Sequence, residues 1–434
     1  MITRVRITGY KSLEDVEIKF RPLTVVFGPN ASGKSNLFDA LGLVARMVTQ
    51  KTLKDAFSEH RGAPLEAFWA PEGLKGLLGR ASASFTIEVD VELSRAVIKA
   101  VERAIGQMRE GLAEREPSQK RRVIERFLRY KVTVEIRTDS GMLRVRDEHL
   151  TALKKDGTPR LSRTPFIEKV QNKLHLRMEG QGHPIYYTEG LDHTVASTSL
   201  YAPHYPHITA LKEELARWRF YYFEPKSMRS ESDLRVVEHL GAYGAELSAF
   251  FNTLKSREPR QFAALNKALS QILPAVDGVD IDRTPEGLLR LAIHERGVPY
   301  TARVVSEGTL RILGLLAITS PLSPTAVVGY EEPENGVHPR RLRMIAEVFE
   351  SASKQGTCQY IINTHSPILP DYFPNESLVL CRRRNGGSEF VPFASLGPLF
   401  RSNEIALGLE EAGDDHGHAP LSIGQRLLRG DFEG

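Results

Sequence analysis

The chain has 434 residues, 41% hydrophobic and 26% charged, with a formal net charge of +4. That is the balance of a globular protein of two or three lobes, and the charge is too mild to assign a nucleic-acid partner by itself. No apolar stretch approaches the ~18 residues a membrane-spanning helix needs, and two cysteines without metal spacing, Cys358 and Cys381, stand against a disulfide framework or a zinc site. The opening MITRVRITGY lacks an apolar signal core, so a cytoplasmic protein with no membrane partner is expected.

Residues 4–8 and 16–20 alternate with period two and predict paired strands. Pro22 then introduces an apolar run at 23–27, suited to a strand buried on both faces. The segment Gly28-Pro29-Asn30-Ala31-Ser32-Gly33-Lys34-Ser35 follows, a full GxxxxGK[ST] match between a buried strand and a helix starting near Lys34. Its glycines let backbone N–H groups curl around phosphates, and the helix N-terminus adds a favourable dipole. Lys34 is expected to reach the β- and γ-phosphates, and the Ser35 hydroxyl to face Mg²⁺.

A further strand is predicted over 84–93, with Phe85, Ile87, Val89 and Val91 on one face. Val97, Val101, Ile105, Met108 and Leu112 step at helical spacing. A second, basic helix is expected over 119–130 beyond the break at Pro117, the two forming a short hairpin. Residues 95–131 hold eleven Lys/Arg against five Glu, which reads as a solvated face or as a surface for a phosphate backbone or acidic partner. Strands 131–137 and 142–146 are expected to turn around Asp139-Ser140-Gly141, whereas 150–210 yields no assignment. His204 and His207 within it are read as structural.

Residues 244–273 are read as helical, and Asp277, Asp280 and Asp282 as a turn and strand. Ser306-Glu307-Gly308-Thr309 opens a helix and could serve as an anion site or a plain cap. The strand at 326–330 delivers two carboxylates, Glu331 and Glu332, to its end, the first to hold Mg²⁺ through water and the second to polarise attacking water. After a helix at 340–351, the strand at 360–362 ends in Asn363-Thr364-His365, where the histidine can donate to a γ-phosphate. The last twenty or so residues, with Asp414, Asp415, His416 and His418, are read as a loose tail rather than a metal site.

These four elements, in this order, resemble the ABC-type ATPases of the SMC, RecF and OLD branch, and within it bacterial predicted ATPases of abortive infection and phage defence. The likeness covers 1–95 and about 295–385, and loosely 218–229. It implies an α/β P-loop NTPase fold, an ABC-ATPase head with mixed β-sheets and a helical lobe, plus a short helical-hairpin and α+β insertion. The boundaries are drawn at 1–94, 95–230, 231–300, 301–395 and 396–434.

The resemblance further implies ATP and Mg²⁺ as ligands. Gly28, Asn30, Ala31, Ser32, Gly33, Lys34, Ser35 and Asn36 would cradle the nucleotide, and Ser306 and Gly308 would reach it in trans from a second copy. Lys34, Glu332 and His365 would be catalytic, Ser35 and Glu331 would hold Mg²⁺, and residues 335–339 would lie at the seam of an ATP-dependent head-to-tail dimer or larger homo-oligomer. The sequence departs from the family at Glu331, where aspartate is usual, at the SEGTL signature, and in lacking a clear Q-loop glutamine, Gln50 being the nearest. About 70 residues follow His365, too few for the TOPRIM nuclease domain of OLD proteins. The function implied is ATP hydrolysis that controls a separately encoded effector, in anti-phage defence. The alternative is a RecF-like ATPase that binds DNA through 95–131; a transporter subunit fits neither the signature nor the missing Q-loop.

Overall fold

The computed structural model describes residues 1–109, 122–179, 184–188, 190–320, 322, 324–396 and 421–432. Its centre is a six-stranded sheet in the order Trp218–Tyr221, Val327–Glu331, Gln359–Thr364, Leu23–Phe27, Leu378–Arg384, Gly387–Pro392. The first five run parallel and only the last pair is antiparallel. Strands 23–27, 327–331 and 359–364 are buried at every residue. That explains their unbroken apolar character, since helices and a second sheet cover both faces. Parallel pairing brings all their carboxyl ends to one edge, with Glu331 opposite Asn363 and Thr364 opposite Phe27. The P-loop strand and two strands about 300 residues later thus converge on one crevice, where ligands bind in open α/β sheets.

The second sheet is antiparallel and eight-stranded: Leu13–Lys19, Ile2–Tyr10, Ser82–Glu92, Phe127–Arg137, Leu143–Ala152, Ile167–Val170, Lys173–Arg177, Pro184–Thr188. Its inner face packs with the helix Lys34–Thr49 in one apolar core. The other core gathers the helices Leu247–Arg257, Glu307–Thr319 and Leu342–Lys354 beneath the opposite face of the central sheet. The strands at 127–188 therefore prolong the sheet that begins at Ile2.

The helical hairpin expected over 95–130 is corrected here. Its first arm forms as Arg95–Arg109, burying Val97, Val101 and Ile105. Residues 127–130, however, belong to a strand in which Leu128, Tyr130, Val132, Val134 and Ile136 are all buried. Their period of two overrides the local charge density that suggested a helix; the intervening 110–121 lie outside the described residues. Cross-strand carboxylates meet the basic side chains on the outer face. Arg129 forks onto Asp90 at 2.6 and 2.7 Å, Arg4 bridges Glu17 and Glu88, Lys131 meets Asp147 at 2.9 Å and Arg144 meets Glu135 at 2.6 Å.

Two buried polar groups fix the unassigned 150–210 region. Glu148, fully buried, accepts from the N–H groups of Val195 and Ala196 and from Tyr130 Oη, and burial pushes its carboxyl up to about 7. Thr194 then ties this segment to the Lys34–Thr49 helix through Met47 O, 2.8 Å away. His207 Nε2 accepts from the N–H groups of Ile124 and Glu125 while Nδ1 faces Glu179 at 2.6 Å. Both histidine nitrogens are used, in keeping with a structural role.

The helix expected over 244–273 is two, Leu247–Arg257 and Pro259–Ile272, because Pro259 cannot continue the first. Asp277 and Asp280 lie in the strand Val276–Arg283 of a small three-stranded sheet, bound to Gly297 N and to Lys255. The presumed loose tail is also corrected in part. Ile423–Arg429 is a helix whose first N–H groups donate to Asp371, and Phe432 packs edge-on against Phe27 and Phe393. Asp414, Asp415, His416 and His418 lie outside the described residues. Among the described residues no helix is long and apolar enough to cross a membrane, and no group of three or more His, Cys, Asp or Glu could hold a metal.

Candidate functional site

The loop after Phe27 needs its glycines. Gly28 has φ 150°, and a Cβ there would stand 2.0 Å from Cys381 O; Gly33 has φ 104°, and its Cβ would stand 2.0 Å from Ser388 Oγ. A hairpin at 378–392 therefore presses the loop from behind. Ser388 Oγ donates to Ser32 O at 2.6 Å and meets Ser12 Oγ at 2.7 Å, and Asn36 Nδ2 donates to Ser12 Oγ at 2.7 Å. Asn36 is thus turned toward the supporting hairpins. Asn30 and Ala31 form the outer turn, Ala31 in the left-handed region at φ 60°. Lys34 is almost fully buried and bridges its own loop, donating to Gly28 O at 2.9 Å and Pro29 O at 2.8 Å, and burial lowers its pKa.

Ser35 Oγ donates to Glu331 Oε2 at 3.0 Å and accepts from Asn363 Nδ2 at 3.4 Å. Arg61 forks onto the same carboxylate, Nη2 to Oε1 at 2.8 Å and Nη1 to Oε2 at 3.2 Å. Burial pushes the Glu331 carboxyl up, and Arg61 and Ser35 pull it back. Glu332 is held in the left-handed region at φ 52°. Its Oε2 accepts from Asn335, and its Oε1 lies 3.2 Å from His365 Nδ1, within ion-pair range. Glu334 accepts from Thr364 Oγ1 at 2.6 Å and from the N–H groups of His365 and Ser366 at 3.1 and 3.0 Å, so it fixes the backbone that carries the histidine.

The donor set fits Mg²⁺ with a polyphosphate. Ser35 and Glu331 offer hard oxygens side by side. Ser32 Oγ, Asn363 Oδ1 and Glu334 Oε2 are buried without a partner around them, in a place where native proteins rarely leave polar atoms unpaired. A cavity of about 480 Å³ opens on the other side of Glu331, lined among others by Asp39, Arg46, Arg61, Tyr222 and Tyr243.

Ser306 lies exposed at the N-cap of the helix Glu307–Thr319, where it accepts from Thr309 N at 3.2 Å and meets Thr309 Oγ1 at 2.8 Å. Gly308 is buried; a Cβ there would stand 2.3 Å from Gly336 O. Arg311 Nη1 donates to Asn335 O at 2.9 Å, so the signature turn and the 335–339 loop form one unit. Gln50 caps the far end of the 16-residue Lys34–Thr49 helix, about 24 Å of helix away from the P-loop, and is rejected as the Q-loop residue. The strand beside Val327–Glu331 runs instead into Tyr222, Phe223 and Glu224.

The structure thus gathers Lys34, Ser35, Glu331, Glu332 and His365 at one sheet edge and carries Ser306 and Gly308 on a separate exposed turn. Sequence reasoning missed Arg61, Asp39, Asn363 and Glu334. The run Glu331-Glu332-Pro333-Glu334 contained a signal for the last, since a third carboxylate at a strand end needs donors. Nothing local marks Arg61, whose role depends on a contact 270 residues away in sequence.

Residues 198–371 match the family model described as "AAA domain, putative AbiEii toxin, Type IV TA system", and residues 1–92 match that of an AAA ATPase domain. A stretch of 62 residues is 32% identical to the DNA replication and repair protein RecF of Corynebacterium jeikeium (strain K411), covering 14% of this chain and 15% of that protein. An SMC head bound to the C-terminal winged-helix domain of ScpA shares the fold over 94% of this chain and 99% of its own, at 12% identity and a TM-score of 0.52. An Smc head with an extended coiled coil, bound to the C-terminal domain of ScpA derived from Pyrococcus furiosus, does so over 95% and 98%, at 11% identity and a TM-score of 0.52. The fold is that of an SMC head, and two separate parts of the chain, 1–92 and 198–371, each match an ATPase family model.

Proposed function

We propose that the chain binds ATP with Mg²⁺ at the carboxyl edge of its central sheet and hydrolyses it across a head-to-tail homodimer. Closure of the two heads then controls a separately encoded effector, in anti-phage defence. The observation that carries this reading is the split between the two half-sites. Lys34, Ser35, Glu331, Glu332 and His365 share one edge, while Ser306 stands exposed on a turn sealed to Gly336 through Gly308. A second copy can present that turn, with its helix N-terminus, to bound phosphates.

Each residue then has a task. Backbone N–H groups of 30–35 take up the phosphates, and Lys34 exchanges the carbonyls of Gly28 and Pro29 for phosphate oxygens. Ser35 and Glu331 would hold Mg²⁺, which when bound supplies charge neutralisation across the β- and γ-phosphates. Glu332 accepts the proton of the attacking water, and His365 beside it donates toward the γ-phosphate. Glu334 orients His365 through its backbone. The defence setting draws on the AbiEii-type description of the model matched at 198–371.

The RecF likeness favours a second reading, an ATPase acting on DNA. Within the basic 95–131 stretch, the pairing of Arg126, Arg129 and Lys131 with Glu92, Asp90 and Asp147 weakens it, since phosphate binding would have to break those pairs. One experiment separates the two. Glu332→Gln, co-expressed with its native neighbouring genes and purified with ATP–Mg²⁺, is expected to bind ATP, to turn over about 10²-fold more slowly, and to show a native mass containing a dimer and a neighbour's product. A dimer that instead retains salt-released nucleic acid supports the DNA reading, and wild-type turnover removes Glu332 as the base.

A further inference from the structure

We propose that Arg61 is an internal counter-cation that competes with Mg²⁺ for Glu331, so that loading of the nucleotide site requires Arg61 to let go. The inference rests on the ATP–Mg²⁺ reading of the site. Glu331 is 6% exposed, and a buried carboxylate needs a cation or several donors to stay ionised. Arg61 supplies both as a planar fork, and its Nη1 shares Oε2 with Ser35, the oxygen pair that would hold the metal. A divalent cation between Ser35 and Glu331 would stand within a few ångströms of that guanidinium, so the two positive charges exclude each other.

Arg61 also has somewhere to go. It sits on an exposed loop after the short helix Leu53–Ser58, and its side chain is 43% exposed. Asp39 Oδ1 lies 3.4 Å from Arg61 Nε on the side away from the fork. Lys11 holds the pivot, donating to Arg61 O at 3.0 Å and to Asp39 at 2.7 Å. The 480 Å³ cavity beside Glu331 is lined by Arg61 itself, with Glu59 and Asp39 as acceptors and the Tyr222 ring 5.9 Å from the guanidinium. The side chain can therefore release Glu331 while it keeps Asp39 and the Tyr222 face and gains Glu59 as an acceptor. Arg46, on the same cavity wall, donates to Ala56 O, and it and the Lys11 ammonium at Asp39 are the like charges the displaced guanidinium meets.

The test reads metal and nucleotide binding, without turnover. A fluorescent ATP analogue is titrated with Mg²⁺ against the wild type, Arg61→Ala, Arg61→Lys and Lys34→Ala. Arg61→Ala is expected to lower the Mg²⁺ midpoint about fivefold, and Arg61→Lys, which keeps the charge but loses the fork, about twofold. Mg²⁺ alone should raise the melting temperature of nucleotide-free Arg61→Ala and leave the wild type unmoved. A midpoint that is unchanged or higher in both Arg61 variants overturns the proposal. If Arg61→Ala does not fold, Arg61→Lys decides by the direction of its shift. Failure of the site reading looks different: wild type and Lys34→Ala would then bind the analogue equally, with or without Mg²⁺.

Discussion

The central parallel sheet and the large antiparallel sheet differ in where they gather unpaired polar groups. On the antiparallel sheet, charges meet partners across the strands and buried Glu148 is satisfied three times over. At the carboxyl edge of the parallel sheet, Ser32, Asn363 and Glu334 keep buried atoms unpaired, and Glu332 and Ala31 adopt left-handed backbone. Arg177 Nε on the antiparallel sheet also lacks a partner, and Lys11 and Gln171 in its turns share the left-handed backbone, so what sets the carboxyl edge apart is that its unpaired oxygens gather in one place beside the P-loop.

Three substitutions would sharpen or break that contrast. The largest effect is expected for Lys34→Ala, which should weaken ATP binding by about 100-fold or more in calorimetry, in the range of lost charge-assisted hydrogen bonds. Unaltered binding would mean that the unpaired atoms serve something else. Next, Ser306→Arg should leave nucleotide affinity of the separate chain within about twofold while lowering turnover at least about tenfold, because a bulky cation would occupy the seam. Turnover at the wild-type rate would refute a site shared between copies.

The smallest effect concerns the antiparallel sheet. The folded pKa of Glu148 is raised by burial from 4.5 to about 7, so the folded state holds a proton more tightly than the unfolded one. The stability this contributes is complete below about pH 4.5 and is lost as pH rises toward and past about 7. Melting temperature should therefore fall between pH 5 and 8, and Glu148→Gln should flatten that slope while leaving ATP affinity unchanged. An equally steep slope in the variant would assign the pH dependence elsewhere.

Three strands of the central sheet were legible from the sequence because each is a short apolar run bounded by chemistry, 23–27 before Gly28, 327–331 ending in carboxylates, and 359–364 before His365, whereas 218–221, 378–384 and 387–392 carry no such boundary and were not assigned. Pattern and motif fall within a few residues of each other in the first three. The antiparallel extension was legible only in part: the strands expected over 131–137 and 142–146 form as Phe127–Arg137 and Leu143–Ala152, whereas 127–130 were read as the end of a basic helix and 150–210 were left unassigned. Between Phe127 and Arg137 every second residue is polar or charged, and its meaning lies in partners such as Asp90 and Asp147 on other strands. Charge density there resembled a helix face until register supplied the partners. Arg61 escaped detection in the same way, since Glu331 is its neighbour only in space.

The strand pairing of the central sheet also has a consequence for biosynthesis. Leu23 pairs with Tyr360, and Val26 with Asn363 and Val379. The P-loop strand therefore has no neighbour of its own sheet until more than 350 residues have been synthesised. A ribosome-bound chain shorter than that carries two apolar strand edges with nothing to cover them, the state in which large α/β proteins aggregate or engage chaperones. The antiparallel strands from Ile2 to Ala152 close locally and can form first, giving the waiting P-loop helix a surface to rest on.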